Sequence, residues 1–153
     1  MNRDQLIQSA KNLPKVSTQA AHEYAQKMES MVSQINQLML ARVDLGELIG
    51  PNNTQMMKDN HSNHARFIHS ILNYFDAEVL VDTILWVFRA YRNHHFSSNY
   101  WAAQLNAWIQ LIKENLNNEA SAEILPLYVW MQINIPSFVL CSDELLTGTT
   151  PKH

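Results

Sequence analysis

The residues of this 153-residue chain whose types and spacing could do chemistry are its histidines, seven in all, six of them internal. His61, His64 and His69 share the segment NHSNHARFIHS, His94 and His95 share RNHHF, and His22 stands alone. A spacing of three puts His61 and His64 on one face of a helix. His95 continues the line of Ile84, Phe88 and Tyr91 on the next segment, with His94 flanking it. Two inward imidazoles facing a third permit three readings. One is a metal site, with His95 as the third ligand. Another is a haem pocket, with a distal histidine on one helix and a proximal one on the next. The last is a set of histidines satisfied by hydrogen bonds in an amide-rich interior. Bare zinc or di-iron is the weakest of these, because no carboxylate occupies a matching inward position and di-iron bundles need Glu-x-x-His from two helices.

Other catalytic constellations are missing from the sequence. There is no Gly-x-Ser-x-Gly turn, and three glycines make no phosphate-binding loop. The lone Cys141 lies in an apolar run without a basic neighbour and reads as an inert buried thiol. With no paired carboxylates and no activated nucleophile to assign, the chain reads as a non-enzyme.

The elements that must position the histidines are helices. Only three Gly and five Pro interrupt the chain, and no β-hairpin signal occurs. The spacing predicts six. The first covers about residues 2–13. The second runs from Ser17 or Thr18 to about residue 44 with the stripe Tyr24, Met28, Met31, Ile35, Leu38, and a short turn at 45–49 follows it. Thr54 caps the third, whose inward face is Met57, His61, His64, Ile68, Ile71 and Phe75. Asp76 caps or starts the fourth, with Leu80, Ile84, Phe88, Tyr91 and His95 inward. Ser97 or Ser98 caps the fifth, with Trp101, Leu105, Trp108 and Ile112 inward. The sixth spans about 120–141, with bends at Pro126 and Pro136. Residues 142–153 read as a polar tail or the start of a linker, after a single domain over 1–141. From Ile124 to Met131 every residue but Pro126 is apolar, which predicts a helix buried on both sides, the second side against another subunit. Trp86 points away from the Ile84–Phe88 line, either as an anchor for a partner or packed beneath the first helix.

Composition bounds the partners. The chain is 46% hydrophobic and 16% charged, and 15 Asn and 10 Gln supply the missing polarity. A net charge of −3 without a basic run argues against nucleic acid. No apolar stretch reaches the roughly 20 residues of a membrane helix, and no signal pattern opens the chain. A cytoplasmic protein is expected.

The order of these helices is similar to the globin fold: a helix with an inward His, a helix ending in an aromatic-His cluster, then two long apolar helices. His64 and Ile68 resemble the distal polar residue and the apolar residue one turn later, and His95 the proximal ligand. A second registration sets Ile84, Val87, Phe96 and Trp101 on the family's apolar pattern. It puts Tyr91 at the proximal position and His61 or Ser62 near the distal one, with no proximal histidine. The early-helix Trp and the Phe about twenty residues before His64 are absent, so an ordinary oxygen-storage globin is not implied. The segments ELIGPNNTQMMKDNHSNHARF, LWVFRAYRNHHFSSNYW and AEILPLYVWM resemble the N-terminal sensor domains of RsbR-type stressosome proteins over about residues 15–141. That resemblance implies an all-α, globin-like bundle, dimeric through its C-terminal helices, that senses a signal and passes it to a C-terminal output domain and to other stressosome proteins. It also implies haem b, held by His95, faced by His64 or His61, and walled by Phe67, Ile68, Phe88, Trp101 and Leu105. A cofactor-free interaction module and a His-metal enzyme are the alternatives.

Overall fold

A computed structural model describes residues 1–146, with side chains to residue 143, and every regular element among them is an α-helix. In chain order these are α1 (Arg3–Ala10), α2 (Thr18–Leu40), α3 (Leu45–Ile49), α4 (Thr54–Asn73), α5 (Ala77–Arg92), α6 (Ser98–Asn115), α7 (Asn118–Ile133) and α8 (Ile135–Leu146). Short polar side chains start most of them, as a helix with unpaired N–H groups requires. Asn2, Ser17, Asp76, Ser97 and Asn117 each accept a backbone N–H of the first turn. Thr54 does not cap α4. The N-cap there is Asn53, whose side chain instead donates to Ile49 O and His94 O, both at 2.7 Å.

α2 is the central packing partner, laid against α4, α6 and α7, while α5 packs on α1 and α8. The α2 stripe buries Tyr24, Met31 and Ile35 completely, then shifts to Met39, leaving Leu38 39% exposed. Arg3 of α1 ties that helix to α5 by donating to Asp82 and Glu78.

The expected sixth helix is two. α7 runs through Pro126 and ends at Asn134, whose side chain donates to Trp130 O. α8 restarts at Ile135 with Pro136 in its first turn, where a missing N–H costs nothing. The two helices meet at 50°. Nearly all the apolar circumference of α7 is covered within the one chain, by α2, α6 and α8. Trp130 also donates to Ser9 Oγ of α1. Val129 and Ile133 are the exceptions, 41% and 70% exposed.

Residues 142 and 143, expected to open a polar tail, continue α8 instead. Arg92 holds them by donating to Val139 O, Ser142 Oγ and the Asp143 carboxylate. Of the rest of the expected tail, 144–146 complete α8 and 147–153 lie outside the described residues. No single described helix is long and apolar enough to cross a membrane.

Candidate ligand cavity

α4 and α5 turn to different packing partners, and the space between them is a cavity of about 280 Å³. One wall is α4, through Asn60, Asn63, His64, Phe67 and Ile68. The opposite wall is α5, through Thr83, Ile84, Trp86, Val87, Phe88 and Tyr91. Trp101, Gln104 and Leu105 of α6 form the floor, and Met131 of α7 and Phe138 of α8 complete it. Phe88 and Trp101 stack at 4.5 Å and 15°, and Phe138 meets Phe88 edge-on at 5.4 Å. Trp86, expected as a partner anchor or packed beneath the first helix, lines the cavity and is 53% exposed.

Two hydrogen-bond chains lead from the cavity into the core. His64 Nε2 lies 2.8 Å from the Tyr128 hydroxyl, which lies 2.8 Å from the Tyr24 hydroxyl. In the second, the Asn60 carbonyl accepts from Tyr100 Oη at 2.7 Å and from Gln104 Nε2 at 3.0 Å. His61 sits behind this pair. Its Nδ1–H donates to Asn36 Oδ1 at 2.6 Å, and its Nε2 lies 3.2 Å from Tyr100 Oη, whose one proton goes to Asn60. Burial disfavours the charged imidazole. It pushes His61 down to about 4 and His64 down to about 3, the neighbouring His61 adding to the shift at His64. Both rings are therefore neutral at pH 7. Burial also raises the Tyr91 hydroxyl, opposed by the neighbouring Asn60 and Asn63 and reinforced by the Asp59 charge.

The cavity gathers His64, Phe67, Ile68, Phe88, Tyr91, Trp101 and Leu105 of the expected site. It leaves out His61, which is fully buried behind it, and His94 and His95, which are exposed. α5 ends at Arg92, three residues short of His95. The chain then reverses: His95 has φ +74° and Phe96 N returns to Tyr91 O at 3.1 Å. That left-handed residue ends the helix and turns the His95 side chain away from the Phe88–Tyr91 line. The turn is locked from α3, where Ser97 N donates to Leu48 O at 2.8 Å. Gly50 (φ +76°) lets the two turns touch, since a Cβ there would lie 3.0 Å from His95 Cβ.

Sequence reasoning missed Asn60, Asn63, Gln104, Tyr128 and Phe138. Asn60 lies one turn before His64, Asn63 one turn before Phe67, and Gln104 one turn before Trp108, so the same periodicity that found the aromatics could have found the amides. Tyr128 and Phe138 carried no signal, because their role depends on how the last two helices fold back.

The chain matches no protein-family model, no curated protein and no solved structure.

Haem as the resemblance implies it does not fit these residues. The imidazoles assigned to the proximal side, His95 and His94, are outside the cavity. The face that α5 presents offers one donor atom near the right level, the Tyr91 hydroxyl, and burial holds it protonated. No Lys or Arg lines the cavity to meet two propionates. Among the described residues no group of three or more His, Cys, Asp or Glu is placed to hold a metal ion.

Proposed function

We propose that the chain is a non-enzymatic, signal-sensing domain with a globin-like, dimeric architecture, whose α4–α5 cavity takes a small ligand directly, without haem. The observation that carries this reading is that one cavity is walled by five helices, including the last. Phe138 of α8 touches Phe88 of α5 at the cavity. Arg92, one residue beyond cavity-lining Tyr91, grips the far end of α8. A ligand that moves α5 therefore has a direct mechanical route to α8. Such a signal needs differential affinity between two arrangements of that pair. Exposed Val129, Ile133 and Leu140 on α7 and α8 support a second copy as the partner of that end.

Val87→Phe fills the cavity from α5 and tests the route. The expected result is altered amide hydrogen exchange in α8, more than 40 residues away in sequence; unchanged exchange there contradicts the reading. Haem titration tests the cofactor-free part. No saturable, stoichiometric Soret band is expected. A band that disappears in His64→Ala would restore haem, held from α4 by the one histidine the cavity contains.

A further inference from the structure

The lining of the cavity is selective enough to name a ligand class. Six of its residues are aromatic: Phe67, Trp86, Phe88, Tyr91, Trp101 and Phe138. Its polar groups are amides and hydroxyls, with the one imidazole of His64 kept neutral, and no Lys, Arg, Asp or Glu reaches it. These polar groups are not scattered. Asn60 and Asn63 of α4 stand beside the Tyr91 hydroxyl of α5, and Gln104 bonds Asn60 from α6. One end of the cavity is thus a cluster of uncharged hydrogen-bonding groups. The remainder, around Ile84, Val87, Phe88, Leu105 and Met131, is apolar. Trp101, which lines the cavity, also has its indole N–H sealed from solvent without an acceptor, an arrangement that few native buried groups keep.

We infer that the cavity binds an uncharged aromatic molecule of fused-bicyclic size or smaller, carrying a hydroxyl, carbonyl or amide group that enters the Asn60–Asn63–Tyr91–Gln104 end. Aromatic rings suit the stacked and edge-on wall geometry. An anion or cation would lose its hydration with no charged side chain among the lining residues to meet it directly; Arg66 is spent on the Asn63 carbonyl and Asp59 acts on Tyr91 from outside the lining. A volume of about 280 Å³ lies at the small end of ligand sites. The inference rests on the cavity being an input site.

Calorimetric titration of the whole chain with naphthalene, 2-naphthol and 2-naphthoate tests it. The three share a ring system and differ in polar group and charge. 2-Naphthol is expected to bind about tenfold more tightly than naphthalene, the worth of one good buried hydrogen bond, and 2-naphthoate not measurably. Asn63→Leu and Tyr91→Phe, the first an exposed position and the second an isosteric change, are each expected to bring 2-naphthol to within about twofold of naphthalene. Val87→Phe is expected to abolish binding of both neutral probes; Thr83→Phe serves in its place if that variant has lost its cooperative melt. Binding of 2-naphthoate as tight as that of 2-naphthol, no binding of any probe, or a preference for 2-naphthol that survives both polar variants would overturn the inference. Calorimetry reads binding whether or not α8 responds. Tight 2-naphthol binding with a silent α8 would therefore refute the sensing role and leave the ligand class standing.

Discussion

At the scale of single residues, the histidines divide by what their backbone does rather than by their chemistry. His61 and His64 lie in mid-helix and are carried inward by the period of α4, whereas His95 lies beyond a helix end and becomes a turn residue. Its partner in that role is Gly50, and a side chain at Gly50 would meet both a positive φ and the His95 backbone. Gly50→Ala is expected to destabilise the fold by about 2 kcal/mol, read as a lower urea midpoint with unchanged m-value. The two inward histidines make a second prediction. Their folded pKa values lie below the ordinary 6.5, so the unfolded chain binds protons that the folded chain does not. Stability is full above pH 6.5 and is lost as pH falls from there toward about 4, by roughly 1.4 kcal/mol per pH unit for each histidine. Urea titrations at pH 7 and pH 5 check this. The midpoint is expected to fall at pH 5 in the wild type and to fall less in His64→Gln, where one of the two groups is gone.

At the scale of elements, what was legible and what was not follow one rule. Periodicity sees the middle of a helix and is blind to its end. The interiors of α4, α5 and α6 follow directly from apolar spacing, and the caps of α2, α5 and α6 follow to within one residue (Ser17 or Thr18, Asp76 as cap or start, Ser97 or Ser98), because a short oxygen-bearing side chain before an apolar run has a local cause. The errors are extrapolations past an end. Phe75 was placed in the core by continuing α4, which stops at Asn73, and it is 49% exposed. His95 was placed at the haem position by continuing α5. In the opposite direction α8 outran its apolar stretch, because Ser142 and Asp143 are held by Arg92, a partner 50 residues away that no local pattern reveals. Arg92 is half-buried and spends its guanidinium on three groups of α8. Arg92→Ala is expected to cost about 1–3 kcal/mol and to raise amide exchange selectively in the last turns of α8. Uniform exchange over all helices would mean the contact is not a local clasp.

At the scale of the whole molecule, composition and periodicity were enough for an all-helical chain, since nothing in the sequence breaks a helix often enough to make anything else. The packing order was less accessible. The helix apolar on all sides was expected to need a second subunit, yet the single chain covers most of it by wrapping α2, α6 and α8 around α7. The apolar side chains left over, Val129, Ile133 and Leu140, are the surface on which the proposed dimer depends. Ile133, at 70% exposure, touches little of its own chain, so Ile133→Glu is expected to leave the melting temperature within a few degrees while converting dimer to monomer in light scattering. A wild-type monomer at micromolar concentration would remove the dimer. The cavity itself was half legible. Its α4, α5 and α6 walls contain residues selected from spacing, but its closure by Phe138 and the clasp of Arg92 on α8 are long-range facts.

In the proposed sensor the α4–α5 cavity is coupled to α8. Amide hydrogen exchange with and without saturating 2-naphthol measures that directly. Changed protection is expected both along the cavity walls of α4 and α5 and in α8 from residue 137 to 143, with the α8 change lost in Arg92→Ala. Protection that changes only at the cavity walls, with α8 exchanging at the same rate whether the probe is bound or absent, would contradict it.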